Sequence, residues 1–347
     1  MRSIIFFHSC FISTVIIAQQ PPIDPHLSSF YPSGAVTKIV LAVDGGVTAW
    51  MFEDEATMSS SGGIIFRFDS AGVPIESYYP ELTADCGSLD RHIDFTLRND
   101  SVWSISRHQY VGGDQPVLFC LNTPSGNWGP SPPTGASTKM ATDLLVTDSH
   151  VYICGSVDSN STVSRQSIYA LDLEGDLLWD TLYDPEQFAT LTHMAHWNGK
   201  LMVAEPPNLH HISGSDGAII STQQLYMGTG PGRARLHVVG TDLYWASLEN
   251  SILHYGKLDS AGITTFASST PADDLTGLAV DEQSRMWITC GATIGNIKVI
   301  DQNGTMVSTY HFGAQAHDVI FGNGWITIAG RLNTATTESF LISGPPQ

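Results

Sequence analysis

Six polar residues stand at one recurrent point of a repeating chain: His92, Thr142, His193, Arg235, Asp274 and His317. Each falls where the chain leads into the first strand of a recurring unit, and each belongs to a different unit. Imidazoles, a guanidinium and a carboxylate gathered round one opening could hold a divalent metal, a carboxylate or a sugar acid. Of these, His92, His193, Arg235, Asp274 and His317 form the candidate ligand-binding set. A divalent metal is the one cofactor such a set would take, but no complete ligand pattern commits the chain to it, and no residue is assigned a catalytic role.

Asp94, Asp143 and Asp318 form a second column, each followed by apolar residues. Two readings compete. The column is a ring of carboxylates for a cation, or each Asp accepts backbone N–H groups from a neighbouring loop and fixes the connection between units. Repetition at equivalent positions favours the structural reading, because scaffolding follows a repeat and an active site breaks it.

Other motifs carry less. His193-Met-Ala-His196 has helical ligand spacing, but on a strand residues three apart point to opposite faces. His210-His211, beside Pro206-Pro207, reads as ordinary strand and loop. The stretch from Gly228 to Gly232, followed by Arg233 and Arg235, opens no helix, so it is not a phosphate loop of the usual kind. Gly-x-Ser-x-Gly is absent from the sequence.

The elements that position these residues recur about every 47 residues from Lys38 onward. The clearest is a hairpin turn opened by Asp and closed by Gly three residues later: Asp69 to Gly72, Asp172 to Gly175, Asp259 to Gly262 and Asp301 to Gly304. The Asp side chain bonds the backbone ahead of it, and Gly takes the positive φ that reverses the chain. Short apolar runs precede these turns, such as Ile64 to Phe68, Val117 to Leu121, Ile168 to Leu171 and Asn296 to Ile300. Further upstream lie second strands, from Val47 to Phe52 in the first unit to Trp325 to Gly330 in the last. Innermost strands precede those, from Ile39 to Val43 through Ile93 to Leu97 to Asp318 to Phe321.

Four antiparallel strands per unit, seven units and no helix predict an all-β, seven-bladed β-propeller. The last unit runs out after three strands. Leu27 to Tyr31 is a spare strand that would complete it and close the ring; the alternative is a linker beside a short last unit.

One segment, Tyr169-Ala-Leu-Asp-Leu-Glu-Gly175-Asp-Leu-Leu-Trp179, resembles the repeat of the quinoprotein-type (PQQ-like) β-propellers. The resemblance implies the propeller fold and an envelope scaffold role in an exported bacterial protein. It does not extend to quinone binding, since neither a vicinal disulfide nor a repeated Trp pattern is present.

Residues 1–18 carry Arg2 and an apolar run ending at Ala18, which reads as a signal peptide cleaved near Ala18, with residues 19–347 as a single propeller domain. The expected location is secreted, periplasmic or extracellular, and no later segment approaches the length of a membrane span. The 34 acidic against 15 basic residues give a net charge of −19, which argues against nucleic acid as a partner. Cys154 and Cys290 occupy equivalent second-strand positions too far apart to bridge, whereas Cys86 and Cys120 could form a disulfide. Asn99, Asn160 and Asn303 begin glycosylation triplets. The leading reading is a monomeric binding or scaffold module for a protein or glycan ligand, with catalysis not evident. The alternative is a metal-dependent lyase or hydrolase acting on an acidic sugar or lactone.

Overall fold

The structure is a computed structural model that describes residues 27–31, 35–42, 46–52, 63–69, 74–78, 89–98, 101–110, 113–121, 128–131, 140–157, 165–184, 191–228, 232–290, 295–312, 314–332 and 338–346. All regular structure among them is β. The chain begins with β1 (Leu27–Tyr31), then forms a first sheet of β2 (Ala35–Leu41), β3 (Val47–Phe52), β4 (Gly63–Phe68) and β5 (Pro74–Tyr78). The second sheet is β6 (Leu89–Arg98), β7 (Ser101–Tyr110), β8 (Gly113–Leu121) and β9 (Trp128–Ser131). The third is β10 (Met140–Val146), β11 (Val151–Val157), β12 (Arg165–Leu171) and β13 (Leu177–Tyr183). The fourth is β14 (His193–Trp197), β15 (Lys200–Glu205), β16 (Asn208–Ile212) and β17 (Ile219–Gln224). The fifth is β18 (Arg233–Val239), β19 (Asp242–Glu249), β20 (Ile252–Leu258) and β21 (Thr264–Pro271). The sixth is β22 (Gly277–Val280), β23 (Met286–Cys290), β24 (Gly295–Ile300) and β25 (Met306–Phe312). In the seventh, β26 (Ala314–Gly322), β27 (Trp325–Leu332) and β28 (Glu338–Gly344) are joined by β1, which pairs antiparallel with β28 from Leu27 opposite Ser343 to Tyr31 opposite Ser339. Both ends of the described chain thus lie in one sheet.

The first strand of each sheet packs against the first strand of the next, and β26 packs against β2, so the succession closes on itself around an axis. The apolar cores lie between sheets rather than within one. Tyr244, Ala246 and Tyr255 of the fifth sheet meet Val280, Met286 and Ile288 of the sixth. Trp287 and Val299 of the sixth meet Val319, Ile326 and Phe340 of the seventh. Leu341 and Ala329 of the seventh meet Ile39, Ala49 and Phe68 of the first. A sheet covered on both faces buries every side chain of its inner strands, and all five residues of β23 are buried. That is why Met286 to Cys290 reads as a nearly continuous apolar run instead of an alternating one.

The Asp turns have the geometry their residues dictate. Asp259 Oδ1 accepts the N–H groups of Ala261 and Ile263, both at 2.9 Å, and Gly262, at φ 80°, donates to Asp259 O. Asp172 and Asp301 do the same. Residues 70–72 of the Asp69 to Gly72 turn lie outside the described residues, and a further turn of the same geometry, Asp281 to Ser284 between β22 and β23, places Ser, at φ 59°, where the others have Gly. Two of the third-to-fourth-strand turns are also gripped by the preceding sheet: Trp179 Nε1 donates to Gly214 O at 2.8 Å and Tyr183 hydroxyl to Gly217 O at 2.6 Å, and Gln223 Nε2 donates to Gly262 O at 3.1 Å. Trp179 of the quinoprotein-like segment is therefore a tether between the third and fourth sheets.

Cys154 and Cys290 are free and buried, and burial pushes the Cys290 thiol up to about 12. Cys86 and the side chain of Cys120 lie outside the described residues. Among the described residues, no helix is long and apolar enough to cross a membrane.

Gly330 is fixed by close approach. A Cβ there would lie 1.9 Å from the carbonyl oxygen of Gln315 and 2.9 Å from the Phe340 ring. Gly330→Ala is expected to cost about 1–3 kcal/mol through displaced backbone, read as a lower urea midpoint. An unchanged midpoint would mean that β26 yields freely.

Candidate functional site

Polar side chains converge on the axis at one level of the innermost strands. Lys38, Asp94, Asp143, His193, Arg235, Gly277 and Asp318 are equivalent by register, paired respectively with Trp50, Ile105, Cys154, Ala204, Ala246, Thr289 and Ala329. Each is followed by an apolar residue that enters an inter-sheet core. At the sixth position glycine is required sterically, since a Cβ on Gly277 would lie 2.7 Å from Asp318 Oδ1 and 2.9 Å from Val319 N.

These groups are spent largely on joining one sheet to the next. Asp94 Oδ2 accepts the N–H of Leu144 at 3.0 Å, Asp143 Oδ2 that of Met194 at 2.6 Å, and Asp318 Oδ2 that of Ile39 at 3.0 Å. In every case the donor is the residue after the equivalent position of the neighbouring sheet. Arg235 Nε donates to Thr276 O at 3.1 Å, and Thr276 Oγ1 donates to Ala316 O at 2.9 Å. Lys38 Nζ donates to Asp94 Oδ1 from the first sheet to the second. The structural reading of the Asp column is thus the one the hydrogen bonds support.

Electrostatics reinforce the ring. Burial works against the Lys38 ammonium, but Asp94, Asp143 and Asp318 outweigh it and hold the group above its ordinary value. Burial pushes Asp94 up to about 6 against the pull of Lys38, with Asp143 adding to the rise. Asp143 is raised by burial, opposed by Lys38. Asp318 is raised to about 6 by burial, although the Ile39 N–H and Lys38 favour its charge. His193 is lowered to about 3 by burial and then by Arg235 and Lys38, so it is a neutral imidazole. Its Nδ1 is buried and has no hydrogen-bond partner among the described residues. Lys38 thus acts on all three carboxyls, and Arg235 on Asp143 and Asp318.

A pH dependence follows from the raised carboxyls. Asp318 has an ordinary value of 3.8 and a folded value of about 6, so the folded chain holds its proton more tightly than the unfolded one. The stabilising contribution is complete below about pH 4 and is lost as pH rises through about 6. Between pH 4.5 and 7.5 the wild-type unfolding free energy is expected to fall by about 2 kcal/mol relative to Asp318→Asn. Parallel profiles of the two proteins in urea titrations would show that this carboxyl does not titrate as described.

The sequence-derived set is divided by the structure. His193 and Arg235 join the ring. His317 lies at a register shift one residue before Asp318, half-buried, its pKa lowered by burial and Arg331 and opposed by Asp274. Asp274 precedes β22 and pairs with Arg233 at 3.1 Å. Thr142, at the corresponding shift in β10, donates to Leu191 O at 3.2 Å. His92 lies in β6 next to a further shift, and its side chain is outside the described residues. Of the His193/His196 pair, His196 is exposed, in keeping with opposite faces of β14. His210 is buried, within 3.0 Å of Glu205 and 2.8 Å of Thr222. Lys38 was missed; its one signal was its place before Ile39, matching Asp94 before Phe95 and Asp143 before Leu144. Among the described residues no group of three or more His, Cys, Asp and Glu is arranged to hold a metal ion.

No family model matches the sequence, and no curated protein matches it. Solved structures do. BamB from Moraxella catarrhalis is similar with a TM-score of 0.54 at 14% identity, over 92% of this chain and 99% of that one. Sqt1 from Chaetomium thermophilum is similar with a TM-score of 0.55 at 13% identity, over 89% of this chain and 82% of that one. Both are β-propeller proteins, and at these identities the likeness establishes the fold: this chain is a β-propeller.

Proposed function

We propose that the chain is an exported, monomeric, seven-bladed β-propeller that serves as a binding or scaffold module for a protein or glycan ligand. The observation that carries this reading is the use made of the axial polar groups. Lys38, Asp94, Asp143, Arg235 and Asp318 are committed to one another and to backbone groups of neighbouring sheets, which leaves loops and strand edges as the surface that meets a ligand. Export is supported by the leader-like residues 1–18.

The test is capture by the immobilised chain from residue 19 onward, presented in parallel with a glycan array and with a surface-protein extract of the host. Saturable capture that persists after chelation is the expected result. A stoichiometric divalent ion in the purified protein, lost on chelation and in His92→Ala/His317→Ala, together with turnover of a sugar acid or lactone, would overturn the module reading in favour of a metal-dependent enzyme.

A further inference from the structure

The outermost strands differ in how they protect their open edges. β5 contains Glu76 and β13 contains Asp180, whereas β1, β9, β17, β21 and β25 carry no Asp, Glu, Lys or Arg, and β21, Thr264-Thr-Phe-Ala-Ser-Ser-Thr-Pro271, is the longest of these at eight residues. Six of the eight are exposed. A long, uncharged edge is what natural sheets usually avoid, because its unpaired N–H and C=O groups form a template for another strand.

The direction of those groups follows from the ladder. Ala272 N–H donates to Ser251 O, inward across the sheet. Backbone groups alternate along a strand, so Thr270, Ser268 and Phe266 also point toward β20. The N–H and C=O groups of Ala267 and Ser269, and the C=O of Pro271, consequently point away from the sheet, whereas Thr265 is the residue inserted at the shift between Lys257 and Leu258. Their small side chains leave room for close approach. The edge is also held in place, since Phe266 packs against the Gly304 turn of the sixth sheet and Tyr255 hydroxyl donates to Gly304 O at 3.4 Å.

We propose that the β21 edge takes up an extended, lysine-bearing segment of a partner protein as an added fifth strand, an inference that rests on the binding-module reading and names its partner class. Backbone hydrogen bonds supply the attachment. Charge selects the occupant: the chain carries a net charge of −19, and exposed Asp273 lies two residues beyond the strand. A second copy of the chain would bring the same negative charge and be repelled, whereas a basic strand is drawn in.

The probe is a fluorescent eight-residue peptide of alternating lysine and valine, titrated into the chain from residue 19 onward. Saturable binding is expected, with slowed amide exchange at Ala267 and Ser269. Ala267→Pro removes an outward donor without removing a ladder bond and is expected to weaken binding at least tenfold. A peptide methylated on alternate backbone nitrogens, which leaves the protein unchanged, should bind at least tenfold more weakly as well. Peptide binding insensitive to both changes, or protection on other strands, overturns the edge proposal while leaving the module reading standing. Absence of saturable binding also overturns it, and the capture experiment on glycans and surface proteins then decides the module reading separately.

Discussion

Lys38→Met is expected to destabilise the protein by about 3 kcal/mol at pH 7.5, the low end for removing one partner of a buried ion pair. The lysine is the common counter-ion of Asp94, Asp143 and Asp318, each of which burial already drives toward its neutral form. Methionine keeps the length of the side chain and removes the charge, so the carboxyls must either remain ionised without compensation or take up protons. The low end is appropriate because the Lys38 side chain is 31% exposed, so that solvent screens part of the field, whereas Asp94 is 5% exposed. Proton uptake supplies the diagnostic. At pH 5 the carboxyls can be neutralised without opening the structure, and the cost of the substitution should shrink to about 1 kcal/mol. Urea unfolding of both proteins at the two pH values makes the comparison. A loss equal at both would assign the effect to packing, and no loss at pH 7.5 would remove Lys38 from the electrostatic core.

Starting the chain at residue 32, so that β1 is absent, is expected to have the larger effect, about 5 kcal/mol or more. Five residues of β1 pair with β28, and backbone hydrogen bonds contribute roughly 1 kcal/mol each. The pairing also ties the start of the described chain to its end, so its loss permits the seventh sheet to separate from the first. The packing of Leu341 and Ala329 against Ile39 and Phe68 and the Asp318 to Ile39 hydrogen bond would then lose their support together. We expect rapid amide exchange in β28 and a strongly lowered midpoint. A synthetic peptide of residues 27–31 linked to the new terminus should restore both, and a truncated chain with an unchanged midpoint and unchanged exchange in β28 would show that closure does not depend on β1.

Much of the scaffold was legible because local chemistry repeats. The Asp and Gly of a turn each meet a backbone requirement that no tertiary contact alters, so Asp172 to Gly175, Asp259 to Gly262 and Asp301 to Gly304 were found from residue type and spacing. The Asp281 to Ser284 turn escaped because Ser284 accepts a positive φ that sequence reasoning reserves for Gly. The strands before the Asp turns were legible as short apolar runs, the signature of sheets buried on both faces. The spare strand at Leu27 was legible from the count alone, since the last unit lacked a strand and the pairing of β1 with β28 supplies it.

The site was less legible, and β-bulges are the reason. Register shifts between Val36 and Lys38, His92 and Asp94, Ala141 and Asp143, and Ala316 and Asp318 each insert one residue into the pairing. An inserted residue breaks the alternation on which side-chain direction is inferred. Thus Thr142 and His317 were grouped with His193 and Arg235, although the register aligns the latter two with Asp143 and Asp318. The sequence by itself determined the repeat, the turns and the need for a closing strand, because these rest on short-range backbone preferences and on a count of strands. Only the tertiary structure decided that Lys38 from the first sheet joins carboxyls from the second, third and seventh, because their approach depends on the closure of the ring and on bulges whose positions carry no residue signature.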